Sequence, residues 1–257
     1  MKKAVVLIYD NSFNGFLTAV FTAFEQGITV ADIQPNGEGQ NRLFSETQTI
    51  FTQMDKAKRV WEGVHSRSQI AIKNIYFAFL SERRGIAMLL YKYIVKLCAA
   101  DKVMARDFSA DAELKIQQLA KLVAREKNRM EAFAQFKLTK DGVYYSGIEP
   151  EFNVLPLISK HFRSRYPDQH WLIYDTKRKY GLFYNGDGVE IISMDLAATS
   201  GSRQNKSDTV SDAEYTSNDS PYDCDQNIFV KSLTHRKVSR QSLPKSHSAQ
   251  VRTRKAV

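Results

Sequence analysis

The chain has 257 residues, of which 43% are hydrophobic and 11% aromatic, enough to build a packed core. Its net charge of +9 is unevenly placed, because eight basic and no acidic residues follow Asp225, which leaves +1 on residues 1–225. The basic character is therefore a property of the C-terminal end, and it does not by itself make the folded body a polyanion binder. Two cysteines, Cys98 and Cys224, cannot supply the four thiolates of a typical iron–sulfur cluster.

The N-terminal segment does not have the pattern of a signal peptide. Two lysines precede an apolar run at residues 4–9, but Asp10 follows and there is no small-residue cleavage site. No apolar run approaches the roughly 18 residues needed to cross a bilayer. We therefore expect a cytoplasmic protein with no membrane partner.

Hydrophobic periodicity predicts strands and helices in alternation over the first third of the chain. The predicted elements are a buried strand at residues 4–9, a turn at 10–12, a helix at 13–24, a loop at 34–42, a short strand at 47–53, and a helix through Val60 and Trp61 that Asp55 caps.

The middle of the chain reads as helical. Residues 66–100 contain a break near Arg84 and Gly85, which predicts two antiparallel helices. Residues 109–136 form the longest candidate helix, with a packed side that consists of Ile116, Leu119, Val123, Met130 and Phe133.

After residue 141 the sequence predicts four strands and one helix. The strands are at residues 143–148, 172–174, 181–184 and 189–192, with a hairpin link at 185–188. The helix follows the first of these strands and has Pro150 as its first-turn proline. The expected class is α+β, with a helix-rich N-terminal two-thirds that holds a small mixed β-sheet, and a C-terminal α/β hairpin segment. Residues 1–195 are predicted to form one domain. Residues 196–257, rich in small polar and basic side chains, are predicted to be a disordered tail.

The long helix carries a line of cations. Lys121, Arg125 and Arg129 recur at every fourth residue, and Glu126 lies on an adjoining line. One interpretation is an ordinary solvated face balanced by Glu126. The other is a ridge that contacts nucleic-acid phosphates, because the guanidinium fork matches phosphate oxygens.

Residues 141–184 interleave aromatic, basic and acidic side chains. His161, Arg163 and Arg165 fall in a final helical turn, where the helix dipole explains them, although His161 could also act as a general base. Asp175 ends a strand and precedes Lys177, Arg178 and Lys179, which fits either a solvated basic turn or a functional carboxylate. Lys177, Arg178, Arg163 and Arg165 are therefore candidates for binding nucleic acid.

A few residues are candidates for acid/base or metal chemistry. The candidates are Asp10, Glu126, His161 and Asp175, with Glu149 and Glu151 as further possible ligands. Their spacing matches no standard ligand pattern, so neither a metal nor a cofactor is predicted. The turn at residues 10–12 has the position of an anion site in α/β folds, but the sequence has no phosphate-binding loop, GxSxG or HExxH motif.

Several ordered segments together resemble a known family. They are YDNSFNGFLTAVFTAFE, DKAKRVWEGV, YFAFLSE, LAKLVAREKNRMEAFAQF, and the run from DGVYYSGIEPEF to KRKYGLFY. Across residues 4–195 the chain is similar to bacterial DNA-metabolism or DNA-repair proteins of uncharacterised mechanism. Such proteins are found beside a radical-SAM DNA-repair protein, or fused C-terminally to uracil-DNA glycosylase-like domains.

The resemblance implies a DNA-repair setting, DNA and a radical-SAM repair protein as partners, and no proven catalytic residue. The positions that match the family motifs are Asp10, Ser12, Phe13, Gly15, Phe16, Arg125, Glu126, Arg129, Phe133, Pro150, His161, Phe162, Arg165, Trp171 and Asp175. The C-terminus departs from the family pattern, with only an echo of it at residues 252–255.

Two functions of different class follow. The preferred one is an accessory module that binds nucleic acid or a repair enzyme through the basic helix and the aromatic-basic segment. The alternative is an enzyme that acts directly on nucleic acid through Asp10, Glu126, His161 or Asp175. A scaffold that only holds the radical-SAM partner is a third possibility.

Overall fold

The computed structural model describes residues 4–37, 46–98 and 109–193, together with the backbone of Arg236 and Lys237. Within these residues the chain forms six helices and nine strands, which confirms the α+β class. Contacts divide the chain between Glu126 and Lys127 into two compact units. The single domain over residues 1–195 stays a prediction, and the predicted disordered tail lies outside the described residues except for the backbone of Arg236 and Lys237.

The first unit is built on a three-stranded parallel sheet. Its central strand is β1 (Val5–Tyr9), which lies between β2 (Val30–Pro35) and β3 (Glu46–Thr49). The predicted loop at 34–42 begins too early, because residues 34 and 35 pair with the end of β1. The predicted strand at 47–53 is too long, because β3 ends at Thr49.

Five helices begin within the described part of the first unit. They are α1 (Phe13–Gln26), α2 (Met54–His65), α3 (Gln69–Phe79), α4 (Ile86–Cys98) and α5 (Ala110–Phe133), the last of which crosses the boundary between the units. The break predicted near Arg84 separates α3 from α4. Asp55 lies inside the first turn of α2 instead of capping it, since Gln53 has the cap position. In the described ranges no helix is long and apolar enough to cross a membrane.

The core of the first unit joins the sheet to the helices. Its fully buried side chains include Leu7 of β1, Phe16 and Leu17 of α1, Leu90 and Ile94 of α4, and Ile116 of α5. An aromatic cluster lies beside them, in which the Phe13 ring has its centroid 4.9–6.2 Å from those of Phe16, Trp61, Tyr76 and Phe79. The apolar periodicity of the sequence therefore corresponds to one continuous core.

The second unit is built on a mixed six-stranded sheet. In spatial order its strands are β4 (Lys137–Leu138), β5 (Tyr144–Ile148), β6 (Trp171–Asp175), β7 (Tyr180–Tyr184), β8 (Val189–Ser193) and β9 (Arg236–Lys237). The pairs β5/β6 and β8/β9 are parallel, and the other neighbours are antiparallel. The predicted hairpin at 185–188 is confirmed, since the Asn185 side-chain oxygen accepts hydrogen bonds from the backbone N–H groups of Asp187 and Gly188.

The parallel pair β5/β6 is joined by α6 (Leu155–Arg165). This helix buries Leu155, Ile158 and Phe162, and the Phe162 ring packs edge-on against Trp171 at 6.2 Å. Its first-turn proline is Pro156, so the assignment of Pro150 to that role was wrong. Residues 149–154 form an irregular segment that precedes the helix.

Candidate nucleic-acid interface

The line of cations on α5 is exposed. Lys121, Arg125 and Arg129 all lie on the solvent side, whereas Ala120 and Val123 anchor the opposite side of the helix in the interior. Within the described residues, neither Lys121 nor Arg125 has an ion pair. The cations are thus presented by a regular, well-packed element.

Apolar side chains accompany these cations. Leu114 and Leu122 are 52% and 43% exposed, and Phe133 is 74% exposed. The sequence placed Phe133 on the packed side of the helix, which was wrong. Glu126, by contrast, is only 8% exposed and has an interaction partner. The exposed face of α5 is therefore mixed basic and apolar.

A second group of cations lies at the end of α6. Arg163 and Arg165 are exposed, and the Arg165 guanidinium lies over the Tyr166 ring at 5.9 Å. This position is explained by the helix dipole, because cations are favoured in a final turn. Both side chains are nevertheless accessible to an anionic partner.

His161 is half-buried beside an ion pair of α5. Burial lowers its pKa, and the charges of Lys127 and Arg165 act in the same direction, whereas Glu131 opposes them. Lys127 and Glu131 are 2.9 Å apart. A neutral imidazole is therefore the state favoured at pH 7.

The Glu131 side chain is only 11% exposed, and its second oxygen, Oε1, has no hydrogen-bond partner among the described residues. The buried Ser146 hydroxyl and Trp171 indole nitrogen also have no hydrogen-bond partner among the described residues. Neither Glu131 nor Ser146 was a candidate from the sequence, in which the four-residue spacing of Lys127 and Glu131 is the one signal of their ion pair.

The turn between β6 and β7 is held together by Asp175 and Arg178. Asp175 is fully buried, and its Oδ1 accepts hydrogen bonds at 2.9 Å from the backbone N–H groups of Lys177 and Arg178. The Arg178 guanidinium is 3.0 Å from Asp175 Oδ2 and also donates to the carbonyls of Pro150 and Glu151. Arg178 thus fastens the segment before α6 to this turn, while Lys177 is exposed.

Asp10 closes the turn between β1 and α1. Its carboxylate accepts hydrogen bonds from the backbone N–H and hydroxyl of Ser12 at 3.1 and 2.6 Å, and from the Thr52 hydroxyl at 2.7 Å. The Ser12 hydroxyl in turn accepts from the Gly15 N–H at 2.9 Å and caps α1. Local structure accounts for these contacts without a ligand.

The candidate acid/base residues do not form one described cluster. Asp10 and Glu126 lie in the first unit, whereas His161 and Asp175 lie in the second. Glu149 and Glu151 are exposed. Among the described residues, no group of three or more histidine, cysteine, aspartate or glutamate side chains could hold a metal ion.

Comparison with known proteins assigns a family and no activity. No curated protein matches the chain. A family model described as a domain of unknown function, DUF4130, matches residues 84–251, more than half of the chain. The match includes α4, α5 and the whole described part of the second unit, and it extends beyond residue 195. The chain therefore belongs to the DUF4130 family.

Proposed function

We propose that this protein is a nucleic-acid-binding accessory module of DNA repair or DNA metabolism in the bacterial cytoplasm. The observation that carries the proposal is the exposed line of Lys121, Arg125 and Arg129 on α5. Over eight residues an α-helix rises about 12 Å, so three cations at this spacing can reach several consecutive phosphates. The guanidinium group of Arg125 can bind a phosphate through two N–H groups.

The adjoining apolar side chains support contact with a macromolecule. Leu114 and Leu122 remain exposed next to the cations, and their burial would add to the affinity that the charges supply. Arg163, Arg165 and Lys177 of the second unit are exposed as well and are further candidates for phosphate contacts. Contacts of this kind position a protein on nucleic acid without reading its sequence.

The partner enzyme is proposed from the family resemblance. A radical-SAM or glycosylase-type repair protein would perform the chemistry, and this chain would hold the nucleic acid or the enzyme in place. Copurification of the full-length protein from its bacterial host, followed by mass spectrometry, tests this part. Recovery of no repair enzyme would contradict it.

Nucleic-acid binding is tested by fluorescence anisotropy with labelled duplex and single-stranded oligonucleotides at several salt concentrations. The basic C-terminal end is itself a source of affinity, so all proteins carry glutamine in place of the eight cations that follow Asp225. The measured quantity is the slope of the logarithm of the binding constant against the logarithm of the salt concentration, called the salt slope below. In this background we expect the salt slope for duplex DNA to become shallower by about 2.7 in the triple variant Lys121→Gln, Arg125→Gln and Arg129→Gln.

A matched control neutralises three other exposed cations, Lys58, Lys92 and Lys140. It should leave the slope closer to that of the parent. If binding disappears when the C-terminal cations alone are neutralised, or if both triple variants bind equally, α5 is not the nucleic-acid-binding surface.

A further inference from the structure

A half-open groove lies in the first unit, where the turn between α3 and α4 meets the side of α5. Its volume is about 440 Å³, within the roughly 300–1,000 Å³ typical of ligand pockets. The residues that line it are Arg83, Arg84, Gly85, Ile86, Leu89, Lys115 and Leu119. The sequence marked Arg84 and Gly85 only as a break between helices, so the groove was not foreseen.

The two helical walls of this groove are held in place by packing and by polar contacts. Leu90 of α4 and Ile116 of α5 are buried in the core. At the opposite end of α4, Glu113 accepts a hydrogen bond from the Tyr93 hydroxyl at 3.3 Å and pairs with Lys96 at 2.9 Å. The walls are therefore fixed before any partner binds, which lowers the entropic cost of binding.

The groove has a cationic rim and an aliphatic floor. Arg84 and Lys115 are exposed at the rim, and no carboxylate is among the described residues that line the groove. Ile86, Leu89 and Leu119 supply the apolar surface. A partner that fits must carry negative charge and must also cover aliphatic side chains.

These two requirements discriminate between classes of anionic partner. Single-stranded nucleic acid binds best where bases stack on aromatic rings, and none of the described lining residues is aromatic. A small inorganic anion would pair with the cations but leave the apolar floor in contact with water. A peptide with carboxylates beside aliphatic side chains satisfies both requirements.

We propose that this groove docks an acidic, amphipathic segment of a partner protein. Aliphatic side chains of the segment cover Ile86, Leu89 and Leu119, while its carboxylates pair with Arg84 and Lys115. The site differs from the line of Lys121, Arg125 and Arg129, and it does not depend on nucleic-acid binding by that line.

The test measures binding of a fluorescein-labelled synthetic peptide to the full-length protein at about 0.15 M salt. In the peptide, two leucines one helical turn apart are flanked by glutamates. It should bind more tightly than a peptide with glutamines in place of the glutamates. Arg84→Glu combined with Lys115→Glu should weaken binding by at least about tenfold, or 1.4 kcal/mol.

A matched control reverses Lys58 and Lys92, two exposed cations of the same unit outside the groove, and should weaken binding much less. A peptide with lysines in place of the glutamates should bind the Arg84→Glu/Lys115→Glu protein better than the parent, which separates lost complementarity from lost folding. The proposal is overturned if the Arg84→Glu/Lys115→Glu protein and the control with reversed Lys58 and Lys92 bind the acidic peptide equally. It is also overturned if a single-stranded oligonucleotide of equal charge binds the groove more tightly than the peptide.

Discussion

Replacement of Gly15 by alanine should destabilise the protein, although alanine is the better helix former. A Cβ atom at this position would lie 2.0 Å from Asp10 Oδ1 and 2.9 Å from Thr52 Oγ1. The Asp10 carboxylate would have to turn away, which breaks its hydrogen bonds to Ser12 and Thr52. Three bonds at about 0.5–1.5 kcal/mol each outweigh the roughly 1 kcal/mol that alanine gains over glycine in a helix. We expect a net loss of about 0.5–3.5 kcal/mol.

A double-mutant cycle isolates this effect. Urea unfolding of the full-length protein, followed by circular dichroism, should show that Gly15→Ala destabilises much less once Asp10→Ala has removed the carboxylate, because only the Thr52 hydroxyl then has to move. Gly63→Ala is the control in α2, because a Cβ there would meet only Arg67 Nη1, at 3.9 Å, and it should stabilise by up to about 1 kcal/mol. Equal losses for Gly15→Ala with and without Asp10 would refute the argument from the Asp10 contact.

Two other predictions concern the second unit. Arg178→Ala should lower the free energy of unfolding by about 3 kcal/mol, because it leaves the buried Asp175 without its ion-pair partner. The control Lys177→Ala should change it by less than about 0.5 kcal/mol. Equal effects of the two substitutions in urea unfolding would show that Arg178 does not hold the turn. Because the folded state lowers the pKa of His161, the unfolded chain takes up the proton first. His161 therefore makes its full contribution to the free energy of unfolding above the usual histidine pKa of about 6.5. This contribution is lost as the pH falls toward the lower pKa that His161 has in the folded state. Urea midpoints measured from pH 7 downward should decline less in His161→Gln, and parallel declines would contradict this assignment.

Much of the fold was predictable because most elements have strong local signals. The apolar run of β1 and the Ser12 cap of α1 identify both elements without tertiary information. The strand β2 was missed because Ile33 is its only fully buried residue and Pro35 ends it. An edge strand of this kind is defined by its pairing with β1, and pairing cannot be seen in a single segment.

Side-chain position was predictable where it depends on helical spacing and unpredictable where it depends on distant contacts. The spacing of Lys121, Arg125 and Arg129 placed all three on one exposed face. Phe133 shares the period of the packed residues but lies in the last turn of α5 and is 74% exposed, so periodicity overstated how far packing extends along the helix. For Arg178, the acceptors at Pro150 and Glu151 precede it by 28 and 27 residues, and nothing local indicates those bonds.

The core of the first unit contains residues from both sides of the position at which the family match begins. The matched region begins at residue 84, yet Leu90, Ile94 and Ile116, which lie inside it, are buried in one core with residues of β1 and α1. A fragment cut at residue 84 would expose these side chains to water, at about 1.5–3 kcal/mol each. The family match therefore leaves out part of the core that its own residues help to form. A chimera between relatives should exchange the preceding strands and helices along with the matched region.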